Sequence, residues 1–404
     1  METKTYQYLL IGGGLAGARA AQGIREIDSD GSMLMVCREP RLPYHRPPLT
    51  KGLLLGKKKP DEIDCQPAEF YRAKKVTTRT GVSAERLDIK ARLVTLSNGT
   101  EVRFEKMLLA TGCHARTLDV PGAALPGVLT VRTLDDSLKL LEAAKSAHNA
   151  VVVGGSYIGA EVASALAQLG VKVTMIFLEK RLLERVVDEE LGRHLKSLFE
   201  RHGIAFLPGE SPARFEGNGK VRTVVTAKGA EIPADLVVVG VGATLNDRLA
   251  QEAGLASGER GGVKVDETLK TSVDGIYAAG DIADYPDPTY RKRLRVEHWD
   301  TAFRQGYTAG RNMAGAGETY SALPHYFTTL FNCGFSVWGD FSHWDSTLRR
   351  GDLGRTGTWI FYLDGLELRG ILAFDPVEKE DEAKIEALVR RRVSASEVRN
   401  LAGL

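Results

Sequence analysis

The chain has 404 residues, 43% of them hydrophobic and 26% charged, and its formal net charge is +2 at pH 7. These values are ordinary for a globular protein of two or three domains, and a charge so close to zero gives no overall case for nucleic-acid or membrane binding. No apolar run approaches the roughly 18 residues that a membrane span needs, and the N-terminus lacks a signal-peptide pattern, so we expect a cytoplasmic protein.

The first predicted elements form a nucleotide-binding βαβ unit. Residues 6–11 predict a strand, Gly12, Gly14 and Gly17 follow at G-x-G-x-x-G spacing, and a helix and a second strand lead to Glu39. The first glycine permits the tight turn, the second lets a pyrophosphate approach the backbone, and the third allows close packing of helix on strand. A carboxylate beyond the second strand is placed to bind ribose hydroxyls.

A similar order recurs later in the chain. AVVVGG predicts a strand, SYIGAEVASALAQLG a helix and KVTMIF a strand. Gly154 and Gly159 hold the outer glycine positions, whereas Ser156 stands at the middle one. Serine adds one small hydroxyl where a phosphate oxygen would lie, so we expect an altered site that still binds; the alternative is a duplicate that no longer binds.

The remaining segments complete an α/β fold class. Buried runs ending near Gly112, Gly242 and Asp281 predict parallel strands with helical crossovers, and the last 80 residues predict antiparallel strands and one amphipathic helix. We therefore expect two doubly wound nucleotide-binding domains and a C-terminal α+β domain. The predicted boundaries are 1–115 with 245–325, 116–244, and 326–404.

Two nucleotide cassettes in one chain indicate two cofactors that meet. A flavin and a nicotinamide are the natural pair, because hydride passes directly between them. The cysteines, Cys37, Cys65, Cys113 and Cys333, form no C-x-x-C pair and no zinc spacing. We expect reduced thiols, no metal site, and none of the paired cysteines that a disulfide reductase needs beside its flavin.

Residues 42–54, LPYHRPPLTKGLL, carry the most specific signal. They are similar to the P-Y-x-R-P-P-L-S-K segment of flavoprotein reductases related to putidaredoxin reductase, rubredoxin reductase and the ferredoxin reductases of ring-hydroxylating dioxygenases. Apoptosis-inducing factor and monodehydroascorbate reductase are more distant relatives. The resemblance implies a glutathione-reductase-like fold with FAD and NADH as cofactors, NADPH being possible as the nicotinamide.

The resemblance also assigns roles to single residues. It places Lys51 near the flavin N5 and pairs it with Glu161, while Glu297 lies near the nicotinamide and Trp299 lines the pyrimidine side of the flavin. A cation at the flavin favours its reduced, anionic form, and a carboxylate keeps that cation charged and aimed. The alternative for Glu161 is an exposed carboxylate at a helix start.

The resemblance gives two sets of cofactor-binding residues. For FAD they are Gly12, Gly14, Gly17, Glu39, Arg46, Pro47, Lys51, Val82, Ala110, Thr111, Gly112, Arg132, Gly280, Asp281, Val296 and Trp299. For NAD(P)H they are Gly154, Gly155, Ser156, Tyr157, Ile158, Gly159, Glu161, Glu179, Gly240, Val241 and Gly242.

Departures from the family pattern bear on specificity. Phe177 stands where many relatives have the ribose-binding glutamate, with Glu179 two residues on. Glu179 favours NADH, because a carboxylate repels a 2′-phosphate, whereas Lys180 and Arg181 could pair with that phosphate. The aromatic F-W-S-D segment of the family is replaced in HYFTTLF, which lacks the acid and the tryptophan.

The resemblance implies hydride transfer from NADH to the flavin and single-electron transfer to a small iron–sulfur carrier. The alternatives are a small-molecule acceptor such as a quinone, oxygen or an ascorbate radical, or a redox-sensing protein resembling apoptosis-inducing factor. A cluster of cations precedes Glu297 and predicts a docking surface for an acidic carrier; the alternative is a solvated loop. The cations are Arg291, Lys292, Arg293 and Arg295. We expect a monomer or a homodimer.

Overall fold

The structure, a computed structural model, describes residues 3–403. In chain order, the strands are β1 (Lys4–Ile11), β2 (Met33–Cys37), β3 (Val76–Thr80), β4 (Ala84–Asp88), β5 (Leu93–Leu96), β6 (Glu101–Leu109), β7 (Cys113–Ala115), β8 (Val128–Leu129), β9 (Asn149–Val153), β10 (Lys172–Phe177), β11 (Ala205–Pro208), β12 (Pro212–Glu216), β13 (Thr223–Thr226), β14 (Glu231–Pro233), β15 (Leu236–Val239), β16 (Ala243–Leu245), β17 (Val263–Lys264), β18 (Ile276–Ala278), β19 (Ala283–Asp287), β20 (Lys292–Leu294), β21 (His325–Leu330), β22 (Cys333–Gly339), β23 (Ser346–Arg350), β24 (Trp359–Asp364) and β25 (Glu367–Phe374). The α-helices are α1 (Leu15–Ile27), α2 (Ala68–Ala73), α3 (Leu134–Ala144), α4 (Tyr157–Gln168), α5 (Glu189–Arg201), α6 (Arg248–Glu252), α7 (Trp299–Met313), α8 (Lys379–Arg391) and α9 (Ala395–Ala402), and short 3₁₀ helices cover Pro47–Thr50, Pro60–Ile63 and Gly280–Ile282.

The chain divides into two compact units. Unit 1 takes the residues up to 45 together with 63–114 and 245–324, and unit 2 takes 46–62, 115–244 and the residues from 325 on. The segment 46–62, which carries the proline-rich motif, therefore belongs to unit 2 although unit 1 flanks it on both sides. The C-terminal segment also groups with unit 2, so the division into three domains that the sequence predicts stays a prediction.

Unit 1 is built on a sheet whose core is parallel. Strands β3, β2, β1 and β6 lie side by side in that order and run parallel, and β18 joins β6, also parallel. Strands β5 and β4 continue from β6 in antiparallel orientation. All residues of β2 are buried, which is typical of a strand covered on both faces. Helices α1 and α7 pack closely, because a Cβ at Gly306 would lie within 2.3 Å of the Ala16 carbonyl oxygen.

Unit 2 combines a parallel and an antiparallel sheet. Its nucleotide-binding part is a parallel sheet in the order β11, β10, β9, β15, β8, with a small antiparallel sheet of β12, β13 and β14 beside it. The C-terminal part is an antiparallel sheet in the order β21, β22, β25, β24, β23, followed by α8 and α9. The predicted α/β fold class, with parallel sheets and a C-terminal antiparallel sheet followed by helices, is confirmed.

Contacts within unit 2 fix the C-terminal sheet on the nucleotide-binding part. The backbone N–H of Phe331, in the turn after β21, donates to the Ser164 hydroxyl of α4 at 2.8 Å. From strand β24 of the same sheet, the Tyr362 hydroxyl donates to the Val186 carbonyl at 2.8 Å. No helix within residues 3–403 is long and apolar enough to cross a membrane.

Candidate functional site

The first glycine turn, in unit 1, has the shape of a pyrophosphate cradle. A Cβ at Gly12 would approach the Ala110 carbonyl oxygen to 2.1 Å, and one at Gly17 would approach the Gly12 carbonyl oxygen to 2.2 Å. A Cβ at Gly14 would meet no atom within 4 Å, and Gly14 caps the N-terminus of α1. The outer glycines are thus required for packing, whereas the middle one borders open space at a helix N-terminus, where anions bind.

The C-terminal end of β2 packs against this turn. A Cβ at Gly13 would lie 2.5 Å from the Cys37 sulfur, and burial, together with the nearby Glu39 charge, raises the pKa of Cys37 to about 12. This thiol is therefore a protonated packing group. The Glu39 carboxylate accepts a hydrogen bond from the Tyr44 hydroxyl at 2.5 Å, and the Val82 N–H donates to the Cys37 carbonyl at 3.1 Å.

A second group of polar atoms in unit 1 surrounds Gly280–Ile282. The Gly280 N–H donates to the Gln305 side-chain oxygen at 2.9 Å, and the Cys113 thiol donates to the Asp281 carboxylate at 3.1 Å. The Gln305 amide nitrogen is buried and has no hydrogen-bond partner within the described residues. An orphaned buried donor is costly, and a cofactor oxygen would satisfy it. The sequence did not indicate that Cys113 and Gln305 bind the segment Gly280–Ile282.

The turn after β6 is hydrogen-bonded to Asn246, in the segment where the chain re-enters unit 1. The Thr111 hydroxyl donates to the Asn246 carbonyl at 2.6 Å, and the Asn246 N–H donates to the Gly112 carbonyl at 2.9 Å. These two hydrogen bonds attach Thr111 and Gly112, both predicted to bind FAD, to Asn246. Asn246 is a further residue that no local motif revealed.

Trp299 begins α7 and is held in place on both sides. Its indole N–H donates to His45 Nδ1 at 3.1 Å, and its ring stacks on Phe303 at a centroid distance of 5.0 Å.

Two predicted site residues lie in the loop just before α7. Of these, Val296 is buried. The Glu297 carboxylate forms an ion pair with Arg295, so its charge is already neutralised within the loop.

In unit 2, the structure brings Lys51 and Glu161 together. The Lys51 ammonium lies 2.5 Å from Glu161 Oε1, and the side chains are 23% and 6% exposed. Two hydroxyls also donate to this carboxylate: Thr50 to Oε2 at 2.5 Å and Thr328 to Oε1 at 2.8 Å. Glu161 is thus a buried acceptor, and the interpretation of an exposed helix-start glutamate is wrong. The sequence did not indicate that Thr50 and Thr328 bind Glu161.

The proline-rich segment that carries Lys51 is anchored within unit 2. Pro47 and Pro48 begin the 3₁₀ helix Pro47–Thr50, where their fixed φ suits the turn. The Arg46 guanidinium donates to the Arg132 carbonyl, and the Ser137 hydroxyl of α3 donates to the Leu49 carbonyl at 2.6 Å. Arg46 and Arg132, predicted separately, are therefore in contact.

The second glycine turn repeats the first, with one substitution. A Cβ at Gly154 would approach the Gly240 carbonyl oxygen to 2.3 Å, and one at Gly159 would approach the Gly154 carbonyl oxygen to 2.1 Å. The Ser156 hydroxyl donates to the Gly240 carbonyl at 3.3 Å, and Ser156 is the exposed N-cap of α4. The serine thus braces the turn and leaves the helix N-terminus accessible. Gly242, with φ of +109°, follows at the end of β15.

The side chains that begin α4 differ in exposure. Ile158 is 40% exposed. The Tyr157 hydroxyl is buried, has no hydrogen-bond partner in the part of the chain that the structure describes, and has its pKa raised by burial. Of these two side chains, only Ile158 presents surface to an incoming nucleotide, and the binding role of Tyr157 stays a prediction.

The end of β10 sets the expected nucleotide specificity. Phe177 is buried and its ring supports Gly155, where a Cβ would lie 2.9 Å from Phe177 Cγ. Glu179 is half-buried and Lys180 exposed. Phe177 is therefore a packing residue, which leaves Glu179 as the carboxylate at this strand end.

Arg181, the second cation predicted to favour NADPH, is engaged within unit 2. Its Nε donates to the Val187 carbonyl at 2.9 Å, and its guanidinium lies 3.4 Å from the Glu184 carboxylate. One of its five N–H donors is thus used by the Val187 carbonyl, and the Glu184 charge partly offsets that of the guanidinium. The attraction of Arg181 for a 2′-phosphate is therefore reduced.

The basic cluster at 291–295 is partly occupied by internal partners. Arg293 pairs with the Asp284 carboxylate at 3.1 Å, and Arg295 pairs with Glu297. A paired cation contributes less to an external field than a solvated one. The charges of these two arginines are thus partly offset, and the docking role of the cluster stays a prediction. Within residues 3–403, no group of side chains forms a metal site.

The two glycine turns and the parallel sheets define a dinucleotide-binding oxidoreductase fold. The pyridine nucleotide-disulphide oxidoreductase family matches residues 6–306, and the chain belongs to it. The family name covers disulfide reductases, whose paired cysteines this chain lacks.

More specific similarities agree with the predicted relationship to ferredoxin reductases, which is confirmed. The chain is 32% identical over 358 residues to the ferredoxin–NAD(+) reductase component of the anthranilate 1,2-dioxygenase system of Burkholderia cepacia, covering 89% of this chain and 88% of that protein. The ferredoxin reductase for the CYP199A2 system of Rhodopseudomonas palustris superposes with a TM-score of 0.89 at 28% identity, over 99% of this chain and 100% of the other. Putidaredoxin reductase in its covalent complex with putidaredoxin gives 0.90 at 26% identity, over 97% and 94%.

Proposed function

We propose that this chain is an FAD-containing, NADH-dependent reductase of a small iron–sulfur electron carrier. The observation that carries the proposal is the presence of two separately built dinucleotide turns, one in each unit, each with outer glycines packed against backbone. Two such turns suit a resident and an exchanging dinucleotide. The relatives named as ferredoxin–NAD(+) reductases support the identity of both the reductant and the acceptor.

Unit 1 is proposed to hold FAD. Gly14 leaves room for the pyrophosphate at the N-terminus of α1, and the Glu39 carboxylate is placed to bind ribose hydroxyls. For other polar groups of FAD, the Asp281 carboxylate supplies an acceptor and the orphaned Gln305 amide supplies a donor. When bound, FAD accepts hydride from NADH and passes electrons one at a time to the carrier.

The pair of Lys51 and Glu161 is proposed to act on the flavin. A fixed ammonium stabilises negative charge that develops when hydride is accepted. Glu161 holds the ammonium in one position, and the two threonine hydroxyls hold Glu161. No side chain has to give or take a proton in the hydride step, so positioning and electrostatics supply most of the acceleration.

The second turn is proposed to bind NADH in preference to NADPH. Ser156 leaves the α4 N-terminus accessible to the pyrophosphate, and Glu179 repels a 2′-phosphate. Arg181 is bound to Glu184 and Val187, which reduces its attraction for that phosphate, whereas the exposed Lys180 favours it. Use of NADPH at a lower rate is compatible with this site.

The acceptor is proposed to be an acidic carrier that docks through the basic cluster of Arg291, Lys292, Arg293 and Arg295. Arg291, Lys292 and Arg293 are exposed, and complementary charge increases the rate of productive encounter. We also propose a cytoplasmic location, which the lack of a membrane-spanning helix in the described residues permits. Oligomeric state, monomer or homodimer, stays a prediction.

An anaerobic titration tests the proposal. The purified protein should be yellow with non-covalent FAD, NADH should bleach the flavin, and a ferredoxin-type protein should restore its colour. Ferricyanide provides a control acceptor that needs no docking. A colourless protein that cannot be reconstituted with FAD would refute the proposal, and reoxidation by quinones but by no iron–sulfur protein would assign a small-molecule acceptor.

A further inference from the structure

The Glu161 carboxylate is held by side chains from separate parts of unit 2. Lys51 and Thr50 come from the proline-rich segment, and Thr328 comes from β21 of the C-terminal sheet. Lys51 and Thr328 both bind Oε1, whereas Thr50 binds Oε2. Each oxygen of this buried carboxylate is therefore satisfied, as a charged group out of water requires.

Strand β21 contacts both members of the ion pair. Phe327 places its ring 5.9 Å from the Lys51 ammonium, within the range of a cation–π contact. The next residue, Thr328, donates to Glu161 at 2.8 Å. Three residues later, the Phe331 N–H binds Ser164, one turn beyond Glu161 on α4. The strand is thus attached to α4 at two points, which fixes the Thr328 hydroxyl in place.

The Thr328 side chain is fully buried, with 0% of its surface exposed. At such a position in a strand, valine would fill the same volume and bury more apolar surface. A buried hydroxyl is tolerated where it has a partner, and here the partner is the Glu161 carboxylate. The presence of a hydroxyl-bearing residue at position 328 is therefore explained by the Glu161 carboxylate, to which the hydroxyl donates.

We propose that Thr328 is a positioning residue for flavin reduction, through which the C-terminal sheet fixes Glu161 and hence Lys51. This inference rests on the proposed function of the ion pair. Without the Thr328 hydroxyl, Oε1 keeps Lys51 alone, and the carboxylate is oriented only by Lys51 and by the Thr50 hydroxyl on Oε2. The ammonium then samples several positions, and its stabilisation of negative charge on the flavin is weakened.

The test uses the full-length FAD-loaded protein and the variants Thr328→Val, Thr328→Ser and Thr329→Val. Thr328→Val should lower the midpoint potential of the flavin and slow its single-turnover reduction by NADH about tenfold, the effect expected for loss of a hydrogen bond to a charged group. Thr328→Ser should keep the rate within about twofold of wild type. Thr329→Val changes the exposed neighbour on the same strand and should leave both quantities unchanged.

Two further variants separate the inference from the proposed function. In a Glu161→Ala background, Thr328→Val should have no additional effect, because its acceptor is gone. Equal potentials and rates for Thr328→Val and wild type, with Lys51→Ala impaired, would overturn the inference alone. An unimpaired Lys51→Ala would overturn the proposed role of the ion pair and the inference with it. If Thr328→Val does not fold, a loss in Thr328→Ser larger than tenfold overturns the inference, since serine keeps the donor.

Discussion

Two glycines of the same motif should respond in opposite ways to alanine. At Gly14 a Cβ would meet no atom within 4 Å, whereas at Gly17 it would lie 2.2 Å from the Gly12 carbonyl oxygen. We predict that Gly14→Ala leaves the stability of the apoprotein nearly unchanged but weakens FAD binding. Gly17→Ala should destabilise the fold itself.

The magnitudes follow from the local structure. Gly14 is the N-cap of α1 with an extended backbone, so alanine loses about 0.5–1 kcal/mol of capping and regains about 0.4–1 kcal/mol through the unfolded chain. A methyl group where the pyrophosphate would bind costs about 1–3 kcal/mol of overpacking, or roughly 5- to 150-fold in Kd. At Gly17, a backbone clash of about 3 kcal/mol exceeds a helix-propensity gain of about 1 kcal/mol, leaving a net loss near 2 kcal/mol.

Urea unfolding of the apoproteins and fluorescence titration with FAD measure these two quantities separately. Gly17→Ala should show a lower unfolding midpoint without FAD, with an unchanged m-value. If Gly14→Ala binds FAD as tightly as wild type, the open space at this turn is not the pyrophosphate site. If Gly17→Ala is as stable as wild type, the packing argument for the outer glycines is wrong.

The remaining predictions concern catalysis, specificity and docking. Lys51→Ala should lower the flavin potential and slow reduction by NADH, Glu161→Ala should do less, and the double variant should be non-additive; additive rate changes would show that the two side chains act independently. The ratio of kcat/KM values should favour NADH, and Glu179→Ala should reduce that preference; a tenfold advantage for NADPH in the wild type would contradict the assignment of Glu179. Turnover with a ferredoxin-type carrier should fall between low and physiological salt, as the Debye length shortens to about 8 Å. Combining Arg291→Ser with Lys292→Ser should flatten that dependence while ferricyanide reduction is retained, and equal losses with both acceptors would place these residues in structure instead.

Local motifs allowed the sequence to predict the strand–turn–helix units. Gly12 and Gly154 were found because glycine spacing, a preceding apolar run and a following helix all lie within a few residues. The proximity of Lys51 and Glu161 came from the family resemblance, since no local pattern joins positions so far apart. The structure brings the two side chains within 2.5 Å of each other.

What the sequence could not predict depends on contacts between distant segments. Thr328 lies in HYFTTLF, which was noted only for the acid and tryptophan it lacks, yet its hydroxyl reaches Glu161. The ion pairs of Arg293 and Arg295 were likewise not predicted. The sequence does not show that the carboxylates of Asp284 and Glu297 face these two cations.

The division of each unit among separate stretches of chain constrains the order of folding during synthesis. Strand β18 pairs with the C-terminal end of β6, Ile276 opposite Met107, but it leaves the ribosome only after most of unit 2. Until then, this end of β6 is an open sheet edge, a known site of aggregation, and α1 lacks the cover of α7. Unit 1 is therefore completed only after residues 245–324 have been made, although N-terminal domains usually fold first. A chain that stops near residue 244 lacks β18 and α7, and this end of β6 then stays without its parallel neighbour.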